Sequence, residues 1–393
     1  MSFPALLAET IAVQSLGTMA VLIIPALAPA VAQSLDVSTS QVGYQVALVY
    51  FAAMLASLAA GAVVASVGPC RTGQIAMLVN AAGCLVASVP HLATVTGGSL
   101  LMGSAYGLIN PAASQLLVRH SPPGRRNLIF SLKQTGVPIG GMAAGLIGPS
   151  VALMLGWSAV LWCVAAACLM VAAASQRGRA SLDRDRAPAL NRSFLSFASL
   201  DIVARHKGLR WLALSSLCFS AVQLCVVAFL VALMVQDLGL DLVEAGAVLA
   251  SVQVCGALGR VTWGIVADRV RDGIVILLIL AGMMIAASAV VVVWNPAWPT
   301  GLALVPFLVL GLSAIGWNGV YLSEVARLSP PNSVGAATGA AMFFTFAGVV
   351  FGPTAFSFIH HTLGSYLRSY SLLVAISLLG AAMLIAARQG ARR

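Results

Sequence analysis

The chain has 393 residues, of which 60% are hydrophobic and only 8% charged, with a mean hydropathy of +0.99 and a net charge of +10. A soluble globular protein carries about 25% charged residues, so this composition excludes a water-facing surface all round and places the chain in a lipid bilayer. Its positive charge does not point to nucleic acid, because the basic residues gather in short loops between apolar runs, the pattern of loops that face the cytoplasm.

About 20 apolar residues suffice to cross the hydrocarbon core. Twelve such spans are expected, at 8–32, 41–67, 72–90, 94–118, 128–154, 158–175, 211–236, 243–267, 274–293, 299–324, 335–360 and 366–388. The first is too long for the apolar part of a cleavable signal and lacks a basic segment before it, so it reads as a first membrane helix. The connections are short except for the polar linker at 176–210, whose "FLSFASLDIVA" is expected to form a short amphipathic helix on the membrane surface. The expected plan is an all-α integral membrane protein, with a six-helix bundle over 1–175, a cytoplasmic linker over 176–210 and a second six-helix bundle over 211–393. Twelve spans put both termini on one side. Counting Arg260, Arg269 and Arg271 with the loops of that side, all of the 21 basic residues except Lys133 and Arg368 fall there. Both termini are therefore expected in the cytoplasm.

The halves repeat. "QVG" at 41–43 matches "EAG" at 244–246, and at the same offset of 203 Gly61 meets Gly264 and Ala65 meets Asp268. Further on the offset becomes 208, so that Asn110 meets Asn318 and "RHSPP" (119–123) meets "RLSPP" (327–331). Two bundles related by a pseudo-two-fold axis, with a site near the middle of the membrane, are the architecture such a parallel repeat implies.

No catalytic constellation is present. The five histidines fall at span ends or in loops, the seven cysteines form no CxxC, and no HExxH, GxSxG or phosphate-cradling loop occurs. No enzyme activity, cofactor or metal is expected.

"GRVTWGIVADRVRDG" (259–273), ending span eight, resembles the G-x-x-x-D-R signature of the major facilitator superfamily. The twelve spans, the long central loop and the duplicated halves extend that resemblance over the whole chain. It implies the major facilitator fold and a gate on the cytoplasmic side formed by Asp268 and Arg269 with Glu324 and Arg327. It also implies that Asp268 lies beside the start of span five, around 127–129. The first half departs from the pattern, with Ala65 where the aspartate belongs and Leu116 opposite Glu324, so the charged set is complete only in the second half. "GGSLLMGSAYGLINP" lacks the arginine that the family's drug antiporters carry in span four, which favours import over export. "SLKQTGVPIGG" (131–141) and "GWNGVYLSEVA" (316–326) are more weakly similar to cyanate-permease-like and other bacterial organic-anion porters.

Polar and aromatic residues near span centres are the expected lining of a central cavity: Tyr50, Tyr106, Asn110, Lys133, Gln134, Gln223, Gln253, Trp317, Asn318 and Phe346, with Gln14 and Thr18 beside them. Lys133 is the costliest, since a charge in hydrocarbon costs at least ~2.5–3.5 kcal/mol. Three placements are open to it: a stem reaching back to the interface, a salt bridge to Glu324, or a cavity-facing ammonium that attracts an anion, with Gly136, Val137 and Gly140 leaving room beside it. The last is the reading adopted. The function expected is alternating-access import of a small organic anion, a carboxylate, with protons, by a monomer in a bacterial inner membrane. The alternative is export of hydrophobic compounds or drugs by proton antiport.

Overall fold

The computed structural model describes residues 2–184, 198–294, 298, 300–330 and 333–391. Among these the regular structure is helical, with no strand. Among the described residues, twelve helices are long and apolar enough to cross a membrane: Phe3–Ala26, Val42–Val67, Pro69–Ala87, Leu92–His120, Arg126–Leu155, Trp157–Ser175, Lys207–Gln236, Leu242–Val270, Gly273–Val292, Leu304–Leu328, Val334–Leu363 and Tyr366–Ala391. They are numbered here as spans one to twelve. Part of the linker, 185–197, lies outside the described residues, including the start of "FLSFASLDIVA"; the rest of that segment falls in the helix Ala198–Arg205.

Three breaks in the spans follow from local chemistry. Span one stops at Ala26, short of the expected residue 32, although the sequence stays apolar. Leu27 leaves the helical region (φ −108°, ψ 17°), and a new helix, Ala28–Leu35, starts with Pro29 in its first turn. There a missing N–H costs nothing. Span five is two helices, Arg126–Gln134 and Gly136–Leu155. Pro138 has no N–H to offer the carbonyl of Gln134, and its ring crowds that carbonyl. Span ten contains a π-helical turn, Gly311–Ile315, and resumes as α-helix at Asn318.

The residues form two compact units. One holds Met1–Pro123, Lys133–Ile202 and Ser329–Phe343; the other holds Gly124–Leu132, Val203–Leu328 and Phe344–Arg393. Without water to drive apolar surfaces together, helices in lipid associate by close backbone approach at small residues. In the first unit, span four lays Gly103 and Gly107 on span two, where added β-carbons would overlap the carbonyls of Val49 and Ala53. Span five likewise lays Gly136 and Gly140 against Ile11, Gln14 and Ser15 of span one. In the second unit, Gly348 and Gly352 of span eleven meet Leu217 and Ala221 of span seven. An aromatic cluster completes that core, with Phe229 and Phe356 stacked at 4.7 Å between ring centres and Phe356 edge-on to Tyr370 at 5.9 Å.

Arg260 corrects the charge map. The charge count groups it with the basic loops although it falls within the expected span 243–267, and span eight continues helical to Val270, which leaves Arg260 about ten residues, or ~15 Å, before the helix end. The side chain is buried (1% exposed), and its Nε donates to the carbonyl of Ile315 at 3.1 Å.

A β-carbon at Gly103 overpacks the contact between spans two and four. Gly103→Ala is expected to destabilise the folded protein by about 1–3 kcal/mol. Gly97→Ala, on the same helix where a β-carbon meets nothing within 4 Å, stays within ~0.5 kcal/mol of the parent. Thermal unfolding of the two purified variants in one detergent measures the difference.

Candidate functional site

In the first unit the polar residues converge on Lys133. It is the next-to-last residue of the helix Arg126–Gln134, where the carbonyl-rich helix end favours a cation. The side chain is 1% exposed. Its ammonium donates to Gln14 Oε1 of span one and Asn110 Oδ1 of span four, and to Gln134 Oε1 at 3.3 Å. Gln14 is held at both ends, because its amide nitrogen donates to Tyr106 Oη and Thr18 Oγ1, each at 3.3 Å. The Tyr50 ring meets Tyr106 edge-on at 6.0 Å. Tyr50, Tyr106, Asn110, Lys133 and Gln134 are thus one connected group. The lysine is buried among amide oxygens rather than snorkelled to an interface, and the carboxylate of Glu324 is taken by Arg327. The expected room beside the ammonium is also corrected. Gly136 and Gly140 are filled by the backbone of span one, so they serve helix contact.

In the second unit Gln223 is the centre. Its Oε1 accepts from Trp317 Nε1 at 2.9 Å and Asn318 Nδ2 at 3.0 Å. Phe219 packs edge-on to Trp317 at 5.3 Å, and Phe346 is buried. Thr345 Oγ1 donates to Ser216 Oγ at 2.9 Å, and Ser220 Oγ to the Thr345 carbonyl at 2.7 Å, tying span eleven to span seven. Gln253 is exposed on span eight and stands apart from these bonds. The repeat partners Asn110 and Asn318 both bond across spans, but Asn110 accepts from a cation while Asn318 donates to an amide.

Asp268 meets the start of span five where the resemblance implies. Its carboxylate accepts from the backbone N–H of Asn127 and Leu128 and from Asn127 Nδ2, all at 2.9 Å. These amides belong to the first helical turn, which has no internal acceptors and carries the positive end of the helix dipole. Gly264 and Gly319 close on Ser131 one turn further in. Glu324, 3% exposed, bonds Arg327 at 2.6 Å, and Arg269 is exposed in the last turn of span eight.

Gln115 is a functional candidate that sequence reasoning misses. The start of span eleven packs against span two, with Ala336 on Gly61, as the start of span five packs on Gly264. Ala65 cannot cap it. Gln115 of span four does so instead, accepting from the N–H of Gly335 at 3.0 Å. Its only signal in the sequence is an amide near the end of an apolar span. Asp183 of the linker is a second such residue. It accepts from the N–H groups of Cys70 at 2.8 Å and Arg71 at 3.1 Å, capping span three. Gly68 at φ +94° makes the turn there, and a β-carbon would overlap Asp183.

The family model described as Major Facilitator Superfamily matches residues 10–353. An uncharacterized MFS-type transporter of Mycobacterium tuberculosis, found alike in strains CDC 1551 / Oshkosh and ATCC 25618 / H37Rv, is 29% identical over 194 residues. That match covers 49% of this chain and 42% of the relative's length. Among solved structures, the E. coli fucose:proton symporter FucP superimposes with a TM-score of 0.81 at 17% identity, over 99% of both chains. The human organic anion transporter MFSD10 does so with a TM-score of 0.77 at 14% identity, over 96% of this chain and 98% of its own. At these identities the structural likeness speaks for the fold alone.

The two caps differ in strength, since a hydrogen bond to a charged acceptor contributes about 1.5–3 kcal/mol against ~1 for a neutral one. Asp268→Ala is therefore expected to speed amide hydrogen exchange at 127 and 128 more than Gln115→Ala speeds it at 335. Equal acceleration at the two helix starts would show that the charge makes no difference.

Proposed function

The chain belongs to the Major Facilitator Superfamily, and on that premise we propose that it is a secondary active transporter that imports a small organic anion, a carboxylate, with protons by alternating access. The observation that carries the anion is the ammonium of Lys133, buried with its donors on the neutral amide oxygens of Gln14 and Asn110. A carboxylate that displaced these amides would set an opposite charge against the ammonium, an attraction that neutral amide oxygens do not supply and that a low-dielectric interior strengthens. Gln134, Tyr106 and Tyr50 would then contact the substrate's uncharged part. Gln223, Gln253, Trp317, Asn318 and Phe346 are proposed as further substrate-binding residues.

Asp268, Arg269, Glu324 and Arg327 are proposed as a gate on the cytoplasmic side. In this reading the caps on spans five and eleven break when that side opens. A monomer in a bacterial inner membrane is proposed, with both termini in the cytoplasm, an orientation that the distribution of arginines favours. The solved relatives are described as a fucose:proton symporter and an organic anion transporter. The first description accords with proton coupling and the second with an anionic substrate; the reading itself rests on Lys133.

Thermal shift of the purified protein against a panel of small organic acids at two pH values tests it, because a ligand that binds only the folded state raises the midpoint by mass action. A stabilising acid is expected to lose at least ~1.4 kcal/mol of binding, or tenfold in affinity, in Lys133→Ala, while Lys133→Arg keeps part of the effect. An unchanged shift in folded Lys133→Ala removes the lysine from the site. Stabilisation by hydrophobic cations alone would favour export instead.

A further inference from the structure

The π-turn of span ten stands directly before Trp317 and Asn318, and span eight holds it by two side chains. Arg260 Nε donates to the carbonyl of Ile315 at 3.1 Å, and Trp263 Nε1 donates to the carbonyl of Leu312 at 3.0 Å. Both carbonyls belong to the turn Gly311–Ile315. A π-turn is one extra residue wound into an α-helix, and it leaves carbonyls short of their usual i+4 partners. In a dry interior an unsatisfied carbonyl is costly, so donors from a neighbouring helix decide whether the extra residue stays wound in. The backbone here is also unusually able to rewind. Gly311 opens the turn and Gly316 follows it, and Gly256 and Gly259 of span eight let it press against that helix, at Ile315 and Leu312.

Rewinding the turn as α-helix would shift everything on one side of it by one residue, about 100° around the axis and ~1.5 Å along it. The hydrogen bonds that depend on that azimuth are those of Trp317 and Asn318 to Gln223. We propose that the π-turn is a two-state register device, held wound by Arg260 and Trp263, that presents Trp317 and Asn318 to Gln223 and withdraws them when it rewinds. Arg260 and Trp263 are then positioning residues. This also accounts for the buried guanidinium, which satisfies a carbonyl that the helix itself leaves free. Span eight carries Asp268 two turns beyond Arg260, so a movement of span eight that breaks the cap on span five would also pull the donors from the π-turn. The assignment of a role in transport rests on the proposed function; the register change does not.

The test uses full-length protein in nanodiscs without ligand, so its outcome is independent of whether Lys133 binds an anion. Trp263→Phe keeps the ring and removes the donor; Arg260→Lys keeps the charge and loses Nε. In each, amide hydrogen exchange over 311–318 is expected to rise at least tenfold and to resolve into two populations, wound and rewound. Deleting Ser313 removes the extra residue and leaves both flanking helices in register. In that background Trp263→Phe is expected to have no further effect on 311–318. A residue that merely packs would be harmed by the deletion and would stay sensitive to Trp263→Phe, and that result overturns the proposal. If the deletion variant does not fold, the substitutions decide: a single population with unchanged exchange over 311–318 in both overturns it equally.

Discussion

An ammonium inside a helix bundle has to be solvated by the protein, and the hydrogen bonds from Lys133 to Gln14 and Asn110 are the interaction around which the first unit is arranged. They require three helices at close quarters. Gly136 and Gly140 let span five lie on the backbone of span one, which brings Gln14 within reach, and Gly103 and Gly107 seat span four, which brings Asn110. Removing one acceptor leaves a buried charge under-solvated, a larger penalty than the loss of one neutral bond. The glycines and the amides are therefore a single design: close packing makes the polar group possible, and the polar group fixes the register of that packing.

Helix starts pose the same problem with opposite polarity. The first amides of a buried helix have no acceptor within it. Asp268 supplies one for span five, Gln115 for span eleven and Asp183 for span three, while Asp272 caps its own helix through Val275 and pairs with Arg388 of span twelve at 3.1 Å. The repeat preserves the need for a cap but not the residue that meets it. Opening the start of span five means separating a carboxylate from several donors; opening span eleven means losing one neutral bond.

The span count, the repeat and the neighbourhood of Asp268 are legible in the sequence, because hydropathy, internal matching and a family signature each report on them directly. The partners of Lys133 are not. Gln14 and Asn110 stand among the candidates, but nothing in linear order says that both turn their carbonyl oxygens on one lysine from two other spans. Arg260 is misplaced because the charge count assigns it to the loop with Arg269 and Arg271, although it falls within the expected span 243–267; the helix running on to Val270 puts it well inside. Gln115 escapes because matching the halves identifies a vacancy at Ala65 and is silent about a replacement that arrives from a different helix. Gly136 and Gly140 look like ligand room since spacing alone does not tell an open face from one already covered.

Spans five and eleven are each divided between the two compact units, at Leu132/Lys133 and at Phe343/Phe344. This has a consequence for biosynthesis. The first unit is incomplete until residues 329–343 have been made, although the rest of it leaves the ribosome more than a hundred residues earlier. The second contains a segment, Gly124–Leu132, synthesised long before its neighbours. Until then the amides of Asn127 and Leu128 wait for Asp268, and Gln115 waits for Gly335. A nascent chain arrested in the linker would hold neither unit whole, because the first still lacks 329–343 and the second has only Gly124–Leu132.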